Sequence, residues 1–295
     1  MATYSAFPVF VDDFRLDSAA YNIDAKVRTW GGSRSADVVV PGVDGVVASL
    51  NDDLEPAMLT LSMWVLGTDG NGLIPNGSNA IAQCRTNLDL LSHVFGVRHR
   101  LLSVSEVVDA LGTKRMAMAK LVDSIQPELR PGGLGRFTVS LMLPASCWQD
   151  IEVSDWSKTA VVADTPYEVT VMQGATAATS DASLLLTGPA TNPVIHDVAT
   201  GGFIQFNGVL SASDKWRVNS DTWTSRTGTT LGVGSLDTAG TDVTASTVYG
   251  GAKNRYLSLT PALDTGALRV KVKVTGTGFT SGTSLAVRAR RKFLL

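Results

Sequence analysis

Strict alternation of apolar and polar residues is the feature that most limits how this chain can fold. Leu59, Leu61, Met63 and Val65 alternate with Thr60, Ser62 and Trp64. Phe137, Val139, Leu141 and Leu143 alternate with Thr138, Ser140 and Met142, and Leu268, Val270, Val272 and Val274 with Arg269, Lys271 and Lys273. Successive strand side chains point to opposite faces, so each run predicts a strand with one buried and one solvated face. Composition agrees, since 28 glycines in 295 residues, with plentiful Thr and Ser, favour strands and turns over long helices.

Helical periodicity occurs in one place. Ile81, Cys84, Leu88, Leu91 and Phe95 are spaced 3, 4, 3 and 4 apart, which predicts an amphipathic helix packing through that stripe. Ser78 or Asn79 suits its N-cap, and Gly96 a left-handed C-cap. Arg98, His99 and Arg100 follow, where positive charge suits the helix dipole. Elsewhere in the first half, residues 9–11 and 21–27 read as strands. Val38, Val39 and Val40 lead into a turn at Pro41 and Gly42. Residues 101–108 and 115–122 form a hairpin about Leu111, Gly112 and Thr113, and residues 131–135 are a strong turn.

The texture changes near residues 150–165. Beyond them the chain is rich in Thr, Ala, Ser and Gly, and short strands recur about every ten residues, the rhythm of a sandwich. Expected strands are 168–172, 184–187, 194–197, 203–206, 215–218, 256–259, 267–274 and 285–289, with 220–248 a long connection or weak strands. The class is mainly β, with domains at 1–155 and 156–295.

No chemistry-bearing constellation emerges. The net charge is −2; the first 150 residues carry 12 basic and 16 acidic side chains (−4), and the rest carry 13 and 11 (+2). That balance offers no basic field for nucleic acid. Cys84 and Cys147 form no CxxC pair and read as buried free thiols. His93, His99 and His196 lack metal-ligand spacing, and His93 falls off the helix stripe. No GxSxG or phosphate-loop motif is present. Gly276, Gly278 and Gly282 have the wrong spacing for a dinucleotide loop, and Asp69, Gly70, Asn71 and Gly72 lack the later carboxylates of a calcium loop. No catalytic residue, metal or cofactor is therefore expected. Arg288, Arg290, Arg291 and Lys292 read as a last strand with solvated basic ends. Trp216 and Trp223, near turns and beside Asn219 and Asp221, are candidate sugar-stacking residues, with core packing the plainer alternative. Residues 1–10 lack the basic stretch and apolar run of a signal peptide, and no run approaches the roughly 20 apolar residues of a membrane span. A soluble chain made in the cytoplasm is expected, with no membrane insertion.

The order of these elements resembles the siphophage distal tail protein family. The residues that carry the likeness are Val38-Val39-Val40-Pro41-Gly42-Val43-Asp44-Gly45, the strand from Leu59, the helix, the hairpin, and the strand ending at Pro144 before Trp148, Gln149 and Asp150. In the second half they are Leu186-Thr187-Gly188, Asn192-Pro193-Val194-Ile195, Gly201 to Gly208, Lys215-Trp216-Arg217-Val218 and Tyr256 to Pro261. The resemblance implies a split β-barrel-like N-terminal domain with one helix and a galectin-like C-terminal β-sandwich. It implies a structural protein of the virion, made in the host bacterial cytoplasm. Six copies would form a ring at the distal tail, between the tail tube protein above and the tail-tip hub protein below. Viral DNA would pass through without specific binding, and the acidic first half is expected to line or flank the channel. The alternative is a carbohydrate-binding tail adhesin that contacts host cell-wall glycan. A wall hydrolase would need paired carboxylates or a metal.

Overall fold

The structure, a computed structural model, describes residues 8–29, 33–34, 53–251 and 257–294. The strand and turn expected at 38–45, and Tyr256, lie outside them. The chain divides into two compact units, Met1–Ile151 with Leu294–Leu295, and Glu152–Phe293.

The first unit contains β1 (Val9–Val11), β2 (Phe14–Arg15), β3 (Tyr21–Thr29), β4 (Ser33–Arg34), β5 (Asp53–Leu54) and β6 (Ala57–Leu66). Helix α1 (Ala80–Phe95) follows, then β7 (Leu102–Val107), β8 (Lys114–Leu121), β9 (Gln126–Arg130), β10 (Leu134–Leu143) and β11 (Trp148–Asp150). The strands pair in the order β2-β1-β7-β8-β10-β6-β3, with β9 added to β10 and β11 to β8. Among the described residues this path is open, because its ends do not hydrogen-bond to each other. It is a split rather than a closed barrel. The two alternating runs become its longest pairing: β6 and β10 lie antiparallel from Ala57↔Leu143 to Leu66↔Leu134. Leu59, Leu61, Met63, Val65, Phe137, Val139, Leu141 and Leu143 all point inward and are buried.

The second unit contains β12 (Ser154–Thr159), β13 (Tyr167–Glu168), β14 (Ser183–Thr187), β15 (Ala190–Asp197), β16 (Phe203–Phe206), β17 (Val209–Leu210), β18 (Lys215–Asn219) and β19 (Thr224–Gly228). It continues with β20 (Thr241–Asp242), β21 (Thr247–Gly250), β22 (Ala262–Asp264), β23 (Ala267–Arg269), β24 (Lys271–Thr277), β25 (Ser284–Ala289) and β26 (Lys292–Phe293). One sheet runs β12-β25-β14-β18-β19-β20, and the other runs β13-β24-β15-β16-β21 with β17 on β15. Leu184, Leu186, Val218, Leu285 and Val287 from the first share one buried cluster with Ile195, Ile204, Val272 and Val274 from the second. Two sheets closing on a common apolar core make a β-sandwich.

Several sequence expectations change here. The 168–172 strand is only β13 followed by a 3-10 turn at Thr170–Met172, because Met172 folds back to bond Val169. The 267–274 run is interrupted at Val270, since β23 turns back to pair with β22 while β24 joins the sandwich. Of the 256–259 strand, the described residues hold a single bridge, Leu259 to Thr179. The weak region 220–248 resolves into the end-to-edge strands β19, β20 and β21.

Candidate functional site

Helix α1 presents one buried and one exposed face. Asn79 caps α1 by accepting the Ala82 amide at 2.9 Å. Gly96 ends it in the right-handed region, at φ −72°, because its N–H still reaches the Ser92 carbonyl; the expected left-handed cap does not form. Cys84, Leu88, Leu91 and Phe95 are buried, and Phe95 meets Phe137 at 5.6 Å between ring centroids. Ile81 is not part of that face: it is 49% exposed. Two glycines explain why. A side chain at Gly67 would collide with the Ala80 carbonyl, and one at Gly133 would come within 2.6 Å of the same residue. The first turn of α1 therefore lies directly on backbone, which leaves no pocket for Ile81. Its place in the buried face is taken by Asn87, which donates to the Leu66 and Thr68 carbonyls at 2.7 and 2.8 Å. The inward position of a polar residue between Cys84 and Leu91 was the available signal. Cys84 donates to the Val65 carbonyl, and burial raises its thiol pKa; Cys147, expected to be buried, is only half-buried.

Glu106 on β7 is buried and binds both Lys26 and Arg28 of β3. These strands lie toward opposite ends of the open path, so charge ties together what backbone pairing does not. Arg28 also stacks on Trp148, 4.6 Å from the ring centroid. The outward face of β6 and β10 carries hydroxyls in its middle and the exposed cation Arg136 at one end. Thr60 meets Ser140 at 3.3 Å, Ser62 meets Thr138 at 3.5 Å, and Trp64 lies between Arg130 and Arg136, 5.4 and 5.7 Å from its centroid.

In the second unit the two candidate tryptophans part company. Trp216 is fully buried: its indole N–H donates to Ser225 Oγ at 2.7 Å, and it stacks on Phe206 at 5.7 Å. It cannot touch a sugar, because it sits on the inward face of β18 within the sandwich core. Trp223, in the turn between β18 and β19, is 36% exposed and meets Tyr249 at 5.5 Å between centroids. Tyr249 comes from β21 in the other sheet, a pairing that no local pattern reveals. Behind the turn Asp237 accepts bonds from Arg217 (2.8 Å), Asn219 (3.0 Å) and Thr222 (2.7 Å). Burial pushes its pKa up, but those three donors and the guanidinium charge outweigh burial and hold it at about 2.

The expected solvated basic faces are ion-paired instead. Arg269 binds Glu168, Lys271 binds Asp264 at 2.6 Å, and Lys273 binds Asp164 at 2.7 Å. Near the terminus Arg288 binds Asp155, while Lys292 is buried against Asp181. His196 touches Thr275 at 3.0 Å, and burial, then the Lys273 charge, lower its pKa. His93 and His99 are exposed. Among the described residues, no group of three or more His, Cys, Asp and Glu side chains could hold a metal ion, and no helix is long and apolar enough to cross a membrane.

No protein-family model matches the chain, and no curated protein matches it in sequence. Solved structures do match. The crystal structure of the SPP1 Dit protein (gp 19.1), a paradigm of hub adsorption apparatus in Gram-positive infecting phages, aligns at TM-score 0.57 and 14% identity. The alignment covers 97% of this chain and 99% of that one. A chain of the phage p2 baseplate in its activated conformation aligns over 97% of this chain and 98% of its own, at TM-score 0.38 and 9% identity. The likeness to siphophage distal tail proteins read from the sequence is met in the fold of the SPP1 Dit structure, a protein of a phage hub adsorption apparatus.

Proposed function

We propose that this chain is a structural component of a siphophage tail tip, closing head to tail into a ring of six copies. The carrying observation is that the SPP1 Dit fold spans both units from end to end, 97% of one chain against 99% of the other. A shared single domain would leave the second unit unexplained; a shared pair favours a shared architecture. The ring would join the tail tube protein above to the tail-tip hub protein below.

A closed ring needs two different complementary faces on each copy. The hydroxyl-bearing middle of the β6 and β10 outward face suits such a contact, because desolvating Thr and Ser hydroxyls that already pair with each other costs less than desolvating free charges. The acidic first half would flank the channel, and passing DNA would not adhere, since bound phosphates require Lys and Arg partners. No enzymatic step is assigned to the chain.

Light scattering on the purified protein, with negative-stain images, tests this. With 31.1 kDa per chain, a six-membered ring weighs roughly 190 kDa. An open-centred particle of that mass is the expected result. A monomer that stays monomeric when mixed with tail tubes would end the ring reading.

A further inference from the structure

We propose that Asn76 is a site of spontaneous covalent modification, where the side-chain amide leaves as ammonia through a succinimide and aspartate or isoaspartate remains. The chain holds three Asn-Gly pairs, beginning at Asn71, Asn76 and Asn207. A glycine after asparagine leaves its backbone nitrogen unshielded and its own dihedrals free, because it has no Cβ. Sequence alone therefore makes all three pairs reactive, and the structure separates them. In the loop after β6, Gly72 donates its N–H to the Asp69 carbonyl at 3.0 Å, and the Asn71 N–H donates to Asp69 Oδ1 at 2.9 Å. The nitrogen that would attack is thus committed as a donor. Between β16 and β17, the Asn207 N–H donates to the Ser246 carbonyl at 2.9 Å, and its side-chain oxygen accepts Gln205 Nε2 at 2.6 Å. The Gly208 carbonyl accepts the Asn192 N–H at 2.8 Å. Closing a ring at Asn207 would break these bonds.

Asn76 is under none of these constraints. Asn76 and Gly77 are exposed, and neither makes a hydrogen bond among the described residues. Nothing lies within 4 Å of where a Gly77 side chain would start. One bond, from the Ser78 N–H to the Pro75 carbonyl at 3.1 Å, spans the turn. In the first step the Gly77 nitrogen gives its proton to solvent base and attacks Cγ of Asn76. The new C–N bond forms, the Cγ–Nδ2 bond breaks, and ammonia leaves with a proton returned from solvent. Water then adds to one of the two imide carbonyls. Opening at Cγ gives aspartate; opening at the backbone carbonyl gives isoaspartate, with one extra methylene in the main chain. The new carboxylate stands three residues before the Asn79 cap, near the positive end of the α1 dipole, so the helix is expected to persist. The reaction needs one chain and water only, and does not depend on ring closure.

The test is incubation of the full-length protein at mildly alkaline pH, with peptide mapping by mass spectrometry at intervals. Electron-transfer fragmentation separates aspartate from isoaspartate. A gain of about 1 Da is expected at Asn76, with isoaspartate among the products. It should build up about fivefold or more faster than at Asn71 or Asn207, because the hydrogen bonds at those two sites must open before the ring can close. The same incubation in concentrated urea removes the fold, and there the three rates should converge. Asn76→Gln, whose longer side chain would have to close a six-membered ring, should show no comparable gain and keep its far-UV spectrum and melt. An unmodified Asn76, equal rates at the three sites in the folded protein, or a lead for Asn76 that persists undiminished in urea would each overturn the assignment.

Discussion

Three polar side chains bear on stability because their partners are specific. Asn87 sits on the inward face of α1 with both bonds made to carbonyls at and just after the end of β6. Asn87→Leu removes these donors and leaves the Leu66 and Thr68 carbonyls to find others, a cost of about 1–3 kcal/mol in urea unfolding. Glu106 binds two cations with its own side chain only 5% exposed. Glu106→Ala should cost about 3 kcal/mol, the lower end for breaking a buried pair, because Lys26 and Arg28 keep some access to water. Asp237 gives a pH signature. Its folded pKa, about 2, is below the usual carboxylate value, so its stabilisation is complete above about pH 4 and disappears as pH falls through 2. The stability gap between wild type and Asp237→Asn should therefore narrow between about pH 4 and pH 2; a gap that stays constant over that window would remove Asp237 from the account.

At the scale of elements, α1 separates what periodicity foretells from what docking decides. Four of the five stripe positions are buried, and the fifth, Ile81, faces solvent because the first turn is pressed against Gly67 and Gly133. Leu91→Ala should cost about 2–5 kcal/mol by leaving a core cavity, while Ile81→Ala should change stability by less than about 0.5 kcal/mol. Gly67→Ala would force the helix start away from the sheet, and a lowered melting temperature with unchanged helix content is the expected result. The stripe was legible because side-chain direction along a helix is a local property. The loss of Ile81 was not, because it depends on two glycines that precede and follow the helix in sequence and meet it only in space.

At the scale of the whole molecule, each unit closes its own apolar core. The second unit's cluster, from Val161 to Ala289, is drawn wholly from within Glu152–Phe293. A chain of residues 152–293 is accordingly expected to fold alone and melt cooperatively; a molten far-UV and near-UV profile would show that its sheets need the rest of the chain. If six copies surround a DNA channel, reversing several acidic residues of the first unit to lysine should slow ejection, because each new cation offers phosphate a partner. An unchanged ejection rate would place those charges away from the channel.

The sequence by itself determined the strands β6 and β10, their inward faces and the position of α1, because periods of two and of 3.6 residues are imposed by backbone geometry within each segment. The family likeness, carried by the order of many weak motifs, was legible for the same reason: order survives where individual residues do not. Only the tertiary structure decided which tryptophan is core and which is surface. Trp216 and Trp223 lie on one hairpin with similar neighbours, and their fates differ because β18 turns its Trp into the sandwich while the strained turn holds the other beside Tyr249 of the opposite sheet. Nor could composition show that the lysines and arginines of β23 and β24 are paired, since their acids arrive from other strands and turns. Burial and charge pairing are set by contacts between segments far apart in the chain, and no local pattern encodes which segments will meet.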